Sequence, residues 1–143
     1  MKRLFNTNIN HGGLNFALLV LRVAFSAFMM VHGYGKLQSL TAGGEIQFGD
    51  PIGIGAPASL ALAVFAEFFC SILLILGLAT RLAVIPLIIT MLVAVFIAHG
   101  GDDFGKKEMG LHYLVVYLFI FIAGPGKYSI DHLIGGGSGR RRR

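Results

Sequence analysis

Four long apolar segments, each interrupted by few charged residues, dominate the chain. They cover about residues 14–37, 57–79, 82–99 and 106–124. Each is close to the roughly 20 residues that an α-helix needs to cross a bilayer, and none shows the alternating pattern of a membrane-spanning β-strand. The pattern therefore predicts an all-α membrane protein, built as an antiparallel four-helix transmembrane bundle.

The connections between these segments are short, apart from the glycine-rich stretch 38–56. The chain is therefore predicted to form a single membrane domain over residues 1–134. Residues 135–143 read GGGSGRRRR and are predicted to be a flexible Gly/Ser/Arg tail, either native or added to the chain.

Composition supports the membrane prediction. The 143 residues are 55% hydrophobic and 13% charged, whereas soluble domains carry about 25% charged residues. The chain has one cysteine, which excludes a disulfide-stapled secreted module. Its net charge is +5, but the basic residues lie at the chain ends and between the apolar segments. This distribution is typical of membrane proteins and does not indicate nucleic-acid binding.

The distribution of Lys and Arg also predicts the orientation. Placing both termini in the cytoplasm puts eight basic residues inside and three outside, as the positive-inside rule requires. Without the four arginines of the tail the counts are four and three. The inside group is Lys2, Arg3, Arg81, Lys127 and Arg140 to Arg143; the outside group is Lys36, Lys106 and Lys107.

Two charges fall inside the apolar segments and predict a buried polar centre. Arg22 lies in the first segment and Glu67 near the middle of the second. Antiparallel neighbours would bring them to similar depth, where pairing offsets the cost of a lone charge in lipid. Ser26 shares the helical face of Arg22, and Ser71 follows Glu67 by one turn. The pair is either a clamp that fixes helix register or a centre that binds a ligand or carries protons.

A second group of polar residues lies near the predicted outer ends of the helices. This predicted entrance group, so called because it would line the way to a ligand site, comprises His32, Lys36, His99, Glu108, His112 and Tyr113. Such a group could ligate a metal or a haem, line a pocket that receives a quinone headgroup, or form a polar rim at the lipid interface. No HxxH, HExxH or CxxC spacing occurs, so no metal site is predicted. The sequence also has no Walker loop, GxGxxG or GxSxG motif, so no cofactor is predicted from a motif and the catalytic residues are unknown.

The chain resembles the DoxX family of small bacterial membrane proteins from about Phe16 to Ile134. The matching pieces are Leu21-Arg22, the run HGYGKL at 32–37, Ala66-Glu67, LGLATR at 76–81, MLVA at 91–94 and GPGKYSID at 124–131. The resemblance implies a four-helix, multi-pass protein of the bacterial inner membrane, with a loose link to quinone-dependent oxidoreduction. It offers no agreed catalytic residues for this chain.

Three hypotheses for function follow. The first is an accessory subunit of a quinone-linked membrane redox assembly, with quinone as the candidate cofactor. The second is a non-enzymatic scaffold or assembly factor, and the third is a small-molecule or proton conduit that uses an Arg22–Glu67 centre. Whether the chain is an enzyme stays open. The lipid bilayer and a protein partner or second copy within the membrane are the predicted partners; nucleic acid is not.

Overall fold

A computed structural model describes residues 7–135, and the described part of the chain is helical with no strand. Four long helices are followed by a short one. Most of the predicted tail, residues 136–143, and the basic residues counted at both chain ends lie outside the described residues. The helices are α1 (His11–Thr41), α2 (Ala56–Leu76), α3 (Thr80–Ala98), α4 (Phe104–Ala123) and α5 (Ile130–Ile134).

Three of these helices, α1, α2 and α3, are long and apolar enough to cross a membrane. The predicted all-α membrane protein is thereby confirmed. α4 has 20 residues, but Lys106, Lys107 and Glu108 lie in its first turns, and it is not among the helices that are apolar enough to cross a membrane by this criterion. α1 has 31 residues and extends beyond 14–37 at both ends. The side chain of Asn10 caps its first turn by accepting a hydrogen bond from the backbone N–H of Gly13 at 3.1 Å.

The long helices pack with their neighbours in sequence, and α1 also contacts α4. Their buried faces form one hydrophobic core, which includes Met29, Leu74, Leu87, Leu114 and Tyr117. Large apolar side chains on the outer faces are exposed in the isolated chain, as expected where lipid surrounds a membrane protein.

Gly33 sets the register between α1 and α2. A Cβ atom at Gly33 would lie 2.6 Å from the backbone of Glu67 and Phe68, which is closer than side chains tolerate. The two helices therefore cross at this point with their backbones nearly in contact, as small residues allow in membrane helices. The contact places residues 33 to 36 of α1 beside Glu67.

Two short π-helical segments interrupt the α-helical hydrogen bonding. They are Phe65–Cys70 within α2 and Val93–Ala98 within α3. A π-helical turn widens the helix and is frequent at functional sites. Glu67 lies in the first of these segments, so its carboxylate projects from a locally widened helix.

The segment after α4 folds back over the beginning of α1 and the α2–α3 turn. The backbone N–H of Lys127 donates to Asn15 Oδ1 at 2.8 Å. Asp131 in α5 accepts hydrogen bonds from the backbone N–H groups of Ala79 at 2.6 Å and Thr80 at 2.8 Å. Asp131 therefore caps α3 from a distant part of the chain.

The glycine-rich stretch after α1 contains no helix, and residues 42–55 connect α1 to α2. Asp50 holds the end of this loop, because its carboxylate accepts from the N–H groups of Ile54 at 3.0 Å and Gly55 at 2.8 Å and from the Ser59 hydroxyl at 2.9 Å. The hydrogen bond from Gly55 contributes most to lowering the pKa of Asp50. The loop is thereby fixed over the first turn of α2.

Candidate functional site

The predicted ion pair between Arg22 and Glu67 is wrong. Both side chains are buried, at 2% and 3% exposure, but each has other partners. The Arg22 guanidinium donates to the backbone carbonyl of Pro125 and, at 2.5 Å, to that of Tyr128. It lies beside Gly77, about 15 Å further along α2 than Glu67. Arg22 and Glu67 were predicted to lie at similar depth from the centres of their apolar segments. The close contact at Gly33 instead sets which residues of α1 and α2 lie side by side, so the two charges are far apart along the helices.

Gly77 makes room for Arg22 at the end of α2. Its backbone φ is +68°, in the left-handed region that favours glycine. A Cβ atom there would lie 2.8 Å from Arg22 Cζ and 2.7 Å from Ser129 Cβ. Arg22 is therefore a structural residue that joins α1 to the C-terminal segment.

Lys36 is the partner of Glu67. Its Nζ lies 2.5 Å from Glu67 Oε1 and also contacts Oε2, so the ammonium bridges both carboxylate oxygens. The Glu67 side chain is 4% exposed, whereas that of Lys36 is 30% exposed. The pair therefore joins a buried carboxylate to an ammonium that reaches toward open space.

A cavity of about 190 Å³ lies on one side of this pair, between α1, α3 and α4. Apolar side chains such as Met91 and Val95 form much of its wall, and we call it the polar cavity because six basic or acidic side chains also line it. Met29 and Tyr113 contribute less polar parts of the wall. The basic and acidic groups that line it are His32, Lys36, Glu67, His99, Lys106 and Lys107.

An apolar cavity of about 490 Å³ lies on the other side, between α2, α3 and the 42–55 loop. It reaches the same Lys36–Glu67 pair at its polar end. Its volume falls in the range of about 300–1,000 Å³ that is typical of small-molecule sites. The apolar residues that line it include Phe48, Ile52, Leu62, Ala63, Ile89 and Val93.

The predicted entrance group divides between the polar cavity and the surface. Four members line the cavity, namely His32, Lys36, His99 and Tyr113. Glu108 and His112 do not line it, and their side chains are exposed on α4. Helical periodicity explains the division, because Gly110 and Tyr113 occupy the inward face of α4 and Glu108 and His112 fall on another.

A hydrogen bond and an ion pair near the α3–α4 turn organise the mouth of the polar cavity. His99 Nδ1 lies 2.8 Å from Asp102 Oδ2, and Lys106 Nζ lies 3.5 Å from Asp102 Oδ1. The hydrogen bond from His99, followed by the nearby Lys106 ammonium, holds the pKa of Asp102 below its usual value. Lys107 donates to the Gly100 carbonyl at 2.8 Å. Within residues 7–135, no three His, Cys, Asp or Glu side chains are grouped as metal ligands.

Ser26 and Ser71, the other members of the predicted polar centre, are fully buried. Within the described chain their hydroxyl oxygens have no hydrogen-bond partner, and the same holds for the Tyr117 hydroxyl. Buried hydroxyls without partners are costly unless ordered water satisfies them. Ser26, Ser71 and Tyr117 are not among the residues that line either cavity.

Sequence reasoning missed three groups of the site. Asp102 and the lysines of α4 were not combined with the histidines, and the 42–55 loop was not recognised as a cavity wall. One signal was available, because Gly33 and Lys36 lie one turn apart on the inward face of α1. A glycine on this face indicates a close helix crossing, and a lysine one turn away in an apolar segment needs an acidic partner on the neighbouring helix.

The fold and this site define a membrane protein that holds an ion pair with a buried carboxylate between two cavities. The sequence matches the DoxX family over residues 17–100, and the chain belongs to that family. It is similar to an uncharacterized protein of Haemophilus influenzae, with 31% identity covering 80% of this chain and 88% of the relative. It is equally similar to the inner membrane protein YphA of Escherichia coli, with 31% identity covering 80% of this chain and 87% of the relative. No solved structure matches the chain significantly.

Proposed function

We propose that the protein binds a small lipophilic molecule, with a quinone as the candidate, and serves as an accessory subunit of a membrane redox assembly. The apolar cavity that ends at the Lys36–Glu67 pair carries this proposal. A quinone has an apolar body and carbonyl oxygens that accept hydrogen bonds. The cavity offers matching groups, because apolar side chains line its length and the Lys36 ammonium donates at its end.

Access from the bilayer supports the same proposal. Leu62 on α2 and Ile89 on α3 line the cavity, and each is 54% exposed. On membrane-spanning helices such apolar side chains face lipid. A lipophilic ligand would therefore reach the cavity sideways, without crossing water.

The accessory role is proposed because the sequence shows no recognisable group for electron transfer. It has one cysteine, and that residue is buried, so it holds no dithiol pair. The sequence also has no dinucleotide-binding motif. The proposal therefore assigns electron transfer to a protein partner within the membrane, and the present chain to ligand binding.

Cavity filling tests the binding proposal. Val93→Phe places a larger side chain in the apolar cavity, whereas Val115→Phe places the same ring on the outer face of α4, where Val115 is 65% exposed. Protein purified in mild detergent is loaded with a short-chain ubiquinone analogue, and the bound quinone is extracted and quantified. We expect Val93→Phe to lower the bound quinone at least about tenfold, which corresponds to about 1.4 kcal/mol. Val115→Phe should retain it. Equal retention by both variants, or no binding by the unchanged protein, would refute the proposal.

We also propose that α4 crosses the membrane, so that the helices form an antiparallel four-helix transmembrane bundle in the bacterial inner membrane. Residues 109–123 of α4 carry no charged side chain, and α4 packs against α3 and α1. Four crossings return the chain to its starting side. The positive-inside count then favours cytoplasmic termini. The relative named as an inner membrane protein supports the choice of membrane.

A further inference from the structure

The two cavities meet at the same ion pair. Lys36, Glu67, Ala94 and His99 line both of them. The Lys36–Glu67 pair is therefore part of a thin partition between an apolar space and a polar one. A ligand that contacts the pair from the apolar cavity is therefore separated from the polar cavity by a single side chain.

The two cavities open in different directions. The apolar cavity is bounded by outward-facing residues of α2 and α3, such as Leu62 and Ile89. The polar cavity is bounded by Lys106, a residue at the start of α4 whose side chain is 66% exposed. Charged side chains of this kind mark the end of a bundle that faces water. The partition therefore separates an opening toward lipid from an opening toward water.

Positive charge exceeds negative charge among the side chains that line the polar cavity, where the lysines Lys36, Lys106 and Lys107 face one carboxylate, that of Glu67. Lys36 pairs with Glu67, Lys106 pairs with Asp102 beside the lining, and Lys107 donates to the Gly100 carbonyl. The other acidic residues at this end of α4, Asp103 and Glu108, are exposed and do not line the cavity. The titratable groups around the pair are His32 and Lys36 on α1, Glu67 on α2, His99 and Asp102 in the α3–α4 turn, Lys106, Lys107, Tyr113 and Tyr117 on α4, and Asp50 of the 42–55 loop, which accepts from Ser59 at the apolar cavity. A surplus cation next to a site of low polarity stabilises the ionised form of an acidic ligand.

We propose that the ligand class is a lipophilic weak acid, a phenol or an enol such as a hydroxyquinone, which enters neutral from lipid and is bound as its anion. This inference rests on the proposed binding function and specifies its ligand. A neutral acid enters an apolar cavity without the cost of desolvating a charge. At the partition it meets Lys36, whose ammonium stabilises the anion that forms there.

The step is a proton transfer without oxidation or reduction. The O–H bond of the ligand breaks, and its proton passes to a carboxylate oxygen of Glu67, where a new O–H bond forms. The Lys36 ammonium turns from the neutralised Glu67 to the oxygen anion of the ligand. Glu67 then releases the proton to water in the polar cavity, and the Lys36 ammonium contacts both the restored carboxylate and the ligand anion, so that one proton is released for each anion that is bound.

A chromophoric acid tests the inference directly. The probe is a hydroxynaphthoquinone with an alkyl chain, because its visible absorption differs between the neutral and the ionised form. Binding is measured as the probe that co-elutes with the detergent-solubilised protein, and ionisation is measured from its spectrum as the pH is varied. We expect the ionisation midpoint of the bound probe to lie at least about one pH unit below that of the probe in empty micelles, a tenfold change in the acid equilibrium.

Three variants test whether this shift arises from the Lys36–Glu67 pair and the lysines around it. The double change Lys36→Met with Glu67→Gln removes both charges together and avoids an unpaired buried charge, so the fold should survive. It should bind the probe in its neutral form and abolish the shift. Lys127→Met removes a lysine outside both cavities and should keep the shift. Lys107→Met, an alternative should the double variant not fold, should reduce the shift.

The outcomes separate the two proposals. Absence of probe and quinone binding would refute the binding function itself. Binding without a shifted midpoint would refute only the weak-acid inference, as would a shift that persists in the double variant or, should that variant not fold, in Lys107→Met. Proton release, measured with a pH indicator in weak buffer, should approach one proton per bound probe when the probe is added in its neutral form. Binding without release would overturn the inference.

Discussion

Lys36 and Glu67 hold opposite charges in a part of the molecule where water is scarce. The carboxylate is almost fully buried, and the ammonium that contacts both of its oxygens is its ion-pair partner. Removing one partner would leave a charge in surroundings of low polarity, whereas removing both would not. Arg22 is also buried, but its acceptors are backbone carbonyls, so its energetics are independent of Glu67.

Double-mutant cycles should distinguish these two arrangements. Lys36→Met and Glu67→Gln should each destabilise the protein, and the double variant should recover part of the loss, with a coupling energy of about 0.5–3 kcal/mol. Arg22→Met and Glu67→Gln should be additive within about 0.5 kcal/mol. Unfolding by sodium dodecyl sulfate in mixed micelles, followed by circular dichroism, provides the free energies. Strong coupling of Arg22 to Glu67 would contradict the structure.

The Gly33 crossing should tolerate no methyl group. Gly33→Ala forces α1 away from the backbone of Glu67 and Phe68 and should cost about 1–3 kcal/mol, the usual range for overpacking. Gly35→Ala is the matched control, because no atom lies within 4 Å of its Cβ position. It should be neutral or stabilise α1 by up to about 1 kcal/mol, since alanine favours helix. The two thermal unfolding midpoints in detergent give the comparison, and a Gly33→Ala midpoint equal to that of the control would refute the close crossing.

At the scale of elements, α5 acts as a cap on α3. The Asp131 carboxylate accepts from Ala79 and Thr80, and its own backbone N–H donates to the Gly77 carbonyl at 2.9 Å. Partial burial raises the pKa of Asp131, but the hydrogen bonds from Thr80 and Ala79 outweigh this effect, and the pKa is lowered. A lowered pKa in the folded state means that the ionised carboxylate stabilises the fold.

The contribution of Asp131 should therefore depend on pH. Asp131→Ala should destabilise the protein at neutral pH by about 0.5–2 kcal/mol, as for the loss of an N-cap. The contribution is fully present above the unfolded pKa of about 3.9 and is lost as the pH falls through the lower folded value. Unfolding curves of both proteins from neutral pH to acid should converge at low pH.

Asp103→Ala is the matched control for this experiment. Asp103 precedes α4 at its N-cap position, but its side chain makes no capping hydrogen bond. Its replacement should therefore cost less than that of Asp131 at neutral pH. A cost for Asp103→Ala that equals or exceeds that for Asp131→Ala would show that the capping bonds of Asp131 contribute little.

The sequence predicted elements better than their register. Apolar segments and the glycines around them located the helices, because these signals are local in the chain. The buried face of α1, including Arg22, Ser26 and Gly33, also followed from helical periodicity. The partner of Glu67 did not follow from the sequence, because the register of α1 against α2 depends on one close backbone contact. The π-helical turn at Phe65–Cys70 also leaves no evident signal in the sequence.

At the scale of the whole molecule, the site forms where the ends of several helices and the 42–55 loop pack together. Four residues of the predicted entrance group converge on the polar cavity, since the ends of α1, α3 and α4 meet there. The larger apolar cavity was not predicted, because it depends on where the 42–55 loop lies over α2 and α3. A loop without periodicity carries little information about the surface that it covers.

Cysteine labelling should establish how often the chain crosses the membrane. Cys70 is 1% exposed, and Cys70→Ala provides a background for single cysteines at Glu45, Asp103 and Lys127. With four crossings and cytoplasmic termini, a membrane-impermeant maleimide added to intact spheroplasts should label Glu45→Cys and Asp103→Cys but not Lys127→Cys. Inverted vesicles should show the opposite pattern. Labelling of Asp103→Cys and Lys127→Cys from the same side would show that α4 does not cross.

The acceptors of Arg22 have a consequence for how the protein is made. They lie 103 and 106 residues further along the chain, so during synthesis the guanidinium enters the membrane long before its carbonyl partners leave the ribosome. A lone cation in lipid is costly, and α1 must keep it near water or lipid headgroups in the meantime. Chains that stop before Pro125 never satisfy it. Premature termination therefore yields a nascent protein with a persistent defect in its first helix, which a membrane protease can recognise.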